Sequence, residues 1–231
     1  IAEEAYKAGA KDVVVHYGDQ QLTKIKLENS SLETISNIPE WQAESYNYYA
    51  RQEACFISIS ASDPDGLKGV PVEKIGASQK ARTSALKEYF DNSMSNKCRW
   101  CVLSVPTLSW AKKVFPKVSD DEAMESLWDV IFKTVRVDTE NPVNAWKKHN
   151  AYLEEKIKFM NNNNFKSVHL KSANGTDLNI ELPEGHIWAG GSEGDVNGIP
   201  FNANIPTEEV FTLPKKTGVN GIVYSSKPLS Y

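Results

Sequence analysis

Few cysteines and no long apolar run limit the classes of protein to which this chain can belong. Its 231 residues include three cysteines, Cys55, Cys98 and Cys101. The number is odd, and the cysteines lie mostly in strand-like apolar runs. We therefore expect no disulfide scaffold, and a reducing cytoplasm is the compartment that fits this cysteine usage. No apolar run approaches the roughly 20 residues that a membrane-spanning helix needs. The sequence predicts no membrane partner.

Excess positive charge is also lacking. Lys and Arg total 26 against 30 Asp and Glu, which leaves a formal net charge of −4. The paired lysines at 112–113, 147–148 and 215–216 are too short to form a basic stripe, so we expect no nucleic-acid partner. The remaining composition, 40% hydrophobic and 24% charged, is that of a globular protein with enough apolar material for a buried core.

Several motifs that would identify an activity are missing. The loop at 18–21 lacks the later glycines of a dinucleotide-binding turn, and the glycines at 190–198 have no Gly-Lys-Ser/Thr ending. No nucleophile elbow at a strand-to-helix turn supports Ser-His-Asp catalysis. Cys98 and Cys101 have redox spacing, but they enter a predicted strand, whereas redox chemistry places the first cysteine at a helix N-terminus. Nucleotide, serine-hydrolase and thiol chemistry are therefore not expected.

Histidines are few and widely spaced. None of the four, His16, His149, His169 and His186, has a second histidine or a cysteine at metal-ligand spacing. A zinc centre needs about three protein ligands, so this span alone does not contain a complete one. We expect each histidine to be structural or solvated.

Strand and helix patterns alternate over the first two-thirds of the chain. The predicted strands are 12–17, 55–60 and 99–105. The predicted helices are 21–36, 40–54, 72–95, 108–114, 120–135 and 142–160, with a capping box from Ser119 to Glu122 and Pro142 in the first turn of the last helix. Strands separated by helices imply parallel β-α-β units. We therefore expect an α/β domain at 1–164, with a mainly parallel sheet flanked by helices and covered on both faces.

The pattern changes after the run of asparagines at 161–164, which reads as a linker. Alternating residues at 168–170 and 178–182, joined around Asn174-Gly175, predict a β-hairpin. Glycine-rich loops at 189–198 and a strand pattern at 219–224 follow. Residues 165–231 thus predict the start of a second, β-rich α+β domain. Because the chain starts inside a helical pattern and ends without a closing element, we expect an internal piece of a longer protein that lacks both ends.

The most informative segment is 201–214, Phe-Asn-Ala-Asn-Ile-Pro-Thr-Glu-Glu-Val-Phe-Thr-Leu-Pro. It places two adjacent carboxylates, Glu208 and Glu209, between a proline turn and a strand-like run. A rigid turn that leads into β-branched and aromatic residues can direct a carboxylate from a sheet edge. Such carboxylates are metal ligands, acid/base groups or plain surface charge, and the segment alone leaves these alternatives open.

Residues 202–212 resemble the corresponding segment of the thermophilic-type metalloaminopeptidases, the family of aminopeptidase T, aminopeptidase S and PepS. Residues 220–224, the glycine loops and residues 5–15 reinforce the resemblance, which covers essentially the whole chain and is strongest to PepS. It implies an N-terminal α/β domain and a C-terminal domain that binds two divalent metals through two glutamates, two histidines and an aspartate. The family motif Pro-x-x-Glu-Val-Phe-Thr places the first of these glutamates at Glu209, with Glu208 as a variable neighbour.

The resemblance implies a cytoplasmic, dimeric aminopeptidase. It would hydrolyse the N-terminal residue from peptides by a two-metal activated water, with zinc or cobalt, or alternatively magnesium or manganese. The other ligands would lie beyond Tyr231, so we expect the span 1–231 to be inactive alone and assign it no catalytic residue. The alternative is a non-catalytic α/β module for ligand binding or oligomerisation. Histidines and acidic residues beyond Tyr231 would favour the enzyme.

Overall fold

The computed structural model describes residues 1–226, and its first part is an α/β arrangement. The helices of the described residues are α1 (Ala2–Lys7), α2 (Gln20–Asn29), α3 (Leu32–Ile35), α4 (Glu40–Arg51), α5 (Val72–Ala85), α6 (Lys87–Met94), α7 (Leu108–Val114), α8 (Asp120–Thr134) and α9 (Pro142–Asn163). Between them, β1 (Phe56–Ser60) and β2 (Trp100–Ser104) pair in parallel, with Phe56 opposite Trp100. The predicted α/β class with a parallel sheet is confirmed.

Side-chain caps explain where several helices begin. At each of these N-termini a side-chain oxygen accepts a hydrogen bond from a backbone N–H of the first turn, which that turn cannot satisfy internally. The capping residues are Asp19, Ser31, Thr107, Ser119 and Asn141. The predicted cap at Ser119 and the position of Pro142 in the first turn of α9 are both confirmed.

The predicted helix 72–95 is divided at Leu86. Asn47 of α4 explains the break, because its amide donates to the carbonyl of Ala85 (3.0 Å) and accepts from the N–H of Tyr89 (3.1 Å). A side chain that enters the helical hydrogen-bond ladder in this way produces a kink. Leu86 itself is 2% exposed, so its side chain is buried at the break between α5 and α6.

The predicted strand 12–17 is wrong within the described residues. This segment has no ladder partner there, and the N–H of Val13 is bonded to the hydroxyl of Tyr6. An apolar β-branched run becomes a strand only where a neighbouring strand supplies hydrogen-bond partners. The expected cover on both faces of the sheet is also wrong for β1, because Ile57 and Ile59 are about half exposed in the described structure (51% and 48%).

Two apolar clusters form the buried core of the α/β part. One joins Leu27, Ile35 and Val70 between α2, α3 and the segment before α5. The other joins Ala111 of α7 to Ala123 and Leu127 of α8, where the small alanines let the two helices approach closely. Burial of this kind, at roughly 25 cal/mol per Å² of apolar surface, is the main stabilising term for such helices.

The asparagine run is not a linker. α9 continues through Asn163 and ends at Asn164, whose left-handed backbone (φ 47°) is a common way for a helix to stop. Asn161 explains the extension, because its side chain donates to the carbonyl of Trp188 (3.0 Å) and accepts from the N–H of Trp188 (2.8 Å). The division into domains at residue 164 remains a prediction.

The part after α9 consists of short strands. They are β3 (Ser167–Lys171), β4 (Asp177–Glu181), β5 (Ala189–Gly190), β6 (Ser192–Gly194), β7 (Pro200–Asn202), β8 (Val210–Phe211) and β9 (Val219–Ile222). β3, β4 and β9 form one antiparallel sheet in that order, which confirms the predicted hairpin, while β5 pairs with β8 and β6 with β7. In residues 1–226 no helix combines the length and apolarity that crossing a membrane requires.

Candidate functional site

Helix α9 is the platform on which the segment around Glu209 is built. Asn150 and Asn202 exchange two amide hydrogen bonds of 3.0 Å, and Asn202 also donates to the carbonyl of Gly191 (3.1 Å). Leu153, one turn further along α9, is 4% exposed and lies against Gly191, where an added Cβ would be 3.2 Å from its side chain. Residues three and four apart on a helix share a face. One face of α9 therefore carries both the loop at 191 and strand β7.

The parallel sheet holds the next residues of the segment. The N–H of Val102 in β2 donates to the carbonyl of Ala203 (2.8 Å), and the N–H of Ile205 donates to the carbonyl of Val102 (2.9 Å). Asn204 thus lies beside β2 in a parallel bridge. The approach to the two glutamates is therefore fixed by the backbone of the α/β part.

Glu208 is an ion-paired residue. One of its carboxylate oxygens lies 2.6 Å from Nη2 of Arg136, and the other lies 3.7 Å from Nε2 of His149. The Nε2–H of His149 donates to the carbonyl of Thr207 (2.7 Å), and Thr207 is 8% exposed. Residues from the end of α8 and from α9 therefore anchor this glutamate and the peptide before it.

Glu209 is in a different environment. Its side chain is exposed and makes no hydrogen bond or ion pair with the residues that the structure describes. Its backbone is closely packed, because β8 pairs with β5 and a Cβ added at Gly190 (φ 149°) would lie 2.3 Å from the carbonyl oxygen of Glu209. A firmly held backbone with an unpaired carboxylate is what a metal ligand requires.

The donor chemistry of Glu209 fits a divalent cation, although as one ligand only. Carboxylate oxygens are hard donors that suit zinc, cobalt, magnesium and manganese to differing degrees. Across residues 1–226, no group of three or more His, Cys, Asp or Glu side chains is placed to hold a metal ion. The residues present therefore fit one position in a metal site and do not complete it.

The histidines do not meet at Glu209. His16 stacks on Tyr46 with ring centroids 4.8 Å apart, His169 bonds Asp177 (2.8 Å), and His186 bonds the carbonyl of Pro183 (2.9 Å). Structural contacts thus account for these three, as expected, but His16 lies in the unpaired segment 12–17 and not in a strand.

Arg136 and His149 are residues that sequence reasoning did not connect with the segment 207–208. His149 was expected to be structural or solvated, and its side chain is 9% exposed against the segment 207–208. Arg136 carried no signal, since it lies 72 positions before Glu208 and belongs to no motif. The fold brings both to Glu208, since Trp146 of α9 contacts Val135 and Arg136 just after α8.

The cysteine pair is placed for packing. Cys98 is fully buried and its Sγ lies 3.3 Å from the carbonyl oxygen of Ala50. Burial raises the pKa of the Cys98 thiol and likewise that of Cys101. Since the thiolate is the reactive form, both shifts oppose redox chemistry.

Known proteins resemble the chain over its whole length. Aminopeptidase AmpS of Bacillus subtilis is 45% identical over 231 residues, which are all of this chain and 56% of AmpS. Aminopeptidase PepS of Streptococcus thermophilus is 38% identical over 232 residues, again covering all of this chain and 56% of the relative. The chain therefore spans about half the length of the curated relatives it matches.

A solved structure and a protein-family model also match this chain. The solved structure of wild-type AmpT from Thermus thermophilus superposes with a TM-score of 0.88 at 37% identity, over 99% of this chain and 56% of that one. The model of the thermophilic metalloprotease (M29) family matches residues 1–231. A metalloprotease family implies a divalent metal cofactor. The unpaired carboxylate of Glu209 is a donor that suits such an ion. The chain belongs to the thermophilic metalloprotease (M29) family.

Proposed function

We propose that the protein is a metal-dependent aminopeptidase that removes the N-terminal residue from peptides, and that Glu209 is one of its metal ligands. The observation that carries the proposal is the contrast between two neighbouring carboxylates. Both side chains are exposed, but Glu208 is bound by Arg136, whereas Glu209, on a fixed backbone, is bound by no described residue. The relatives that match the whole chain are named aminopeptidases.

The metals would supply the chemistry that protein side chains lack. Two divalent ions, zinc or cobalt by preference and magnesium or manganese as alternatives, activate a water and polarise the scissile carbonyl when they are bound. The part of Glu209 is to supply a hard oxygen donor and a negative charge that offsets that of the cation. The anchoring of Thr207 by His149 holds this carboxylate in place before any metal binds.

One carboxylate cannot form a two-metal site. We propose that the remaining ligands come from residues outside 1–231, in the length of the relatives that this chain does not cover, and that the span alone is inactive. A C-terminal metal-binding domain starting at residue 165, a homodimeric assembly and a cytoplasmic location belong to the same proposal. The few cysteines, with Cys98 buried as a free thiol, support the location.

Hydrolysis of leucine- and arginine-p-nitroanilide by the full-length protein tests the activity. We expect release that a chelator abolishes and that added cobalt or zinc restores. Glu209→Gln keeps the shape of the side chain and removes its charge, so metal content and hydrolysis should fall together, kcat/KM by at least about 100-fold.

Glu184→Gln is the matched control, because Glu184 is an exposed glutamate of the same region that has no partner among the described residues. It should leave hydrolysis unchanged. Full metal content and activity in Glu209→Gln would contradict the assignment of this ligand. A folded protein with no hydrolysis under any of the four metals would instead favour a non-catalytic binding or oligomerisation module.

A further inference from the structure

Arg136 has a backbone conformation that is common at helix ends but uncommon for an arginine. It follows α8 with a left-handed backbone (φ 59°). This conformation costs a residue other than glycine about 1 kcal/mol or more in free energy. Its guanidinium carbon lies 5.6 Å from the centre of the Trp146 ring, in cation–π contact. The indole N–H of Trp146 donates in turn to the carbonyl of Val135 (2.8 Å). Contacts on both sides therefore hold the arginine in this conformation.

The guanidinium of Arg136 is directed at Glu208. Its side chain is 25% exposed, and Nη2 lies 2.6 Å from the Glu208 carboxylate. The Glu208 side chain is 54% exposed, so the guanidinium is the more buried partner, and a charge-assisted bond of this length is stronger than one between neutral groups. Arg136 therefore restrains a side chain adjacent to the proposed metal ligand and makes no contact with Glu209 itself.

The peptide on either side of Glu208 is fixed as well. His149 bonds the carbonyl of Thr207 on one side, and its ring meets Trp146 edge-on with centroids 5.7 Å apart. On the other side, Gly190 permits the close approach of the Glu209 carbonyl through the β5–β8 pairing. Glu208 is thus paired with Arg136 between two fixed points of the backbone, while Glu209 has no partner among the described residues.

We propose that Arg136 is a positioning residue for the metal site: by binding Glu208 it keeps that carboxylate away from the cation and presents Glu209 as the only donor of the pair. Trp146 and His149 hold Arg136 and the Thr207 peptide in the required arrangement. This inference rests on the proposed function. Outer-shell partners that orient a metal ligand typically change metal affinity about 10- to 100-fold when they are removed.

A cycle of variants in the full-length protein tests the proposal, with the affinity of the apo-protein for Zn²⁺, measured against a chromophoric chelator, as the readout. Arg136→Ala should weaken zinc binding about 10- to 100-fold. Arg136→Lys should recover most of that loss, because it retains a cation beside Glu208. In a Glu208→Gln background, Arg136→Ala should change the affinity within about twofold, since the group that Arg136 restrains is no longer charged.

A merely structural arginine would behave differently. If Arg136 served only to pack α8 against α9, Arg136→Ala would weaken zinc binding equally in both backgrounds, and that result would overturn the proposal. An unchanged affinity in Arg136→Ala would overturn it too. Should Arg136→Ala not fold, Arg136→Gln, which preserves much of the side-chain length, takes its place in the same cycle.

Glu209→Gln, measured in parallel, distinguishes a failure of the positioning role from a failure of the proposed function on which it rests. Loss of zinc in Glu209→Gln together with an undiminished affinity in Arg136→Ala overturns the positioning role alone. Retention of zinc in Glu209→Gln overturns the proposed ligand and, with it, the reason for a positioning residue.

Discussion

The α/β part and the part that carries Glu209 are stabilised in different ways. Before α9 ends, the buried residues are mostly apolar and form clusters between helices, such as Ala111, Ala123 and Leu127. After α9, the described buried residues are small or polar, and Asp195 is one of them. Its side chain is 2% exposed, accepts from the N–H groups of Asn197 and Ile199 at 2.8 Å, and lies 3.6 Å from Arg99.

This difference shows what positions the candidate site. A segment without an apolar cluster of its own takes its shape from hydrogen bonds and close backbone approaches to a neighbour that has one. Here the neighbours are α9, through His149 and Asn150, and strand β2, through Val102. The geometry around Glu209 therefore depends on the stability of the α/β part.

The largest expected effect concerns the apolar clusters of the α/β part. Leu127 is 2% exposed in the α7–α8 cluster, so Leu127→Ala should lower the free energy of unfolding by about 3 kcal/mol through lost burial and a cavity. Leu213 is the matched control from the later part, because it is 79% exposed and Leu213→Ala should change stability by less than about 0.5 kcal/mol. Denaturant unfolding of both variants gives the comparison. Equal losses would mean that the later part has an apolar core of its own.

A glycine variant tests the close approaches of the later part. In Gly190→Ala the new methyl group would meet the Glu209 carbonyl at 2.3 Å in a backbone with φ of 149°, so we expect a loss of about 2 kcal/mol and weaker zinc binding. In Gly194→Ala the nearest atom to the new Cβ would be 3.9 Å away, which is an ordinary contact. Thermal unfolding and zinc titration measure both effects. Equal stability and equal zinc affinity in the two alanine variants would show that the close backbone approach at Gly190 does not position the site.

Local signals predicted the elements that local interactions form. The cap at Ser119 and the hairpin turn at Asn174-Gly175 act over a few residues, and both are present as predicted. The strand at 12–17 and the linker at 161–164 were wrong because distant partners decide those segments. A strand requires a neighbouring strand, and Asn161 remains helical beside Trp188, 27 positions later.

The same limit applies to the candidate site. Glu209 could be proposed from the sequence because the segment 202–212 resembles a family motif, and its carboxylate is accessible in the structure. Arg136 and His149 belong to no such motif. They reach Glu208 only through the tertiary fold, and the sequence predicted for His149 no more than a structural or solvated role. Residues that position a metal-binding residue are therefore harder to predict from the sequence than the metal-binding residue itself.

The smallest expected effect concerns an exposed polar contact in the later part. The hydrogen bond from His169 to Asp177 (2.8 Å) joins β3 to β4, and it lowers the pKa of the Asp177 carboxyl, with a smaller contribution from Lys171. A lowered carboxyl pKa means that the folded state favours the ionised form. The stabilisation is therefore present above the unfolded-state pKa of about 3.9 and is lost as the pH falls through the lower folded-state value.

Titration of the Asp177 carboxyl by NMR measures this shift directly. The midpoint should lie below about 3.9 in the wild-type protein and should rise in His169→Ala, which removes the principal donor. In unfolding experiments at pH 6 and pH 3, Asp177→Asn should lose slightly less stability on acidification than the wild type. Asp138→Asn, at an aspartate without a partner among the described residues, should behave like the wild type. An unchanged Asp177 midpoint in His169→Ala would show that this cross-strand contact adds nothing to the hairpin, which would then depend on its backbone ladder alone.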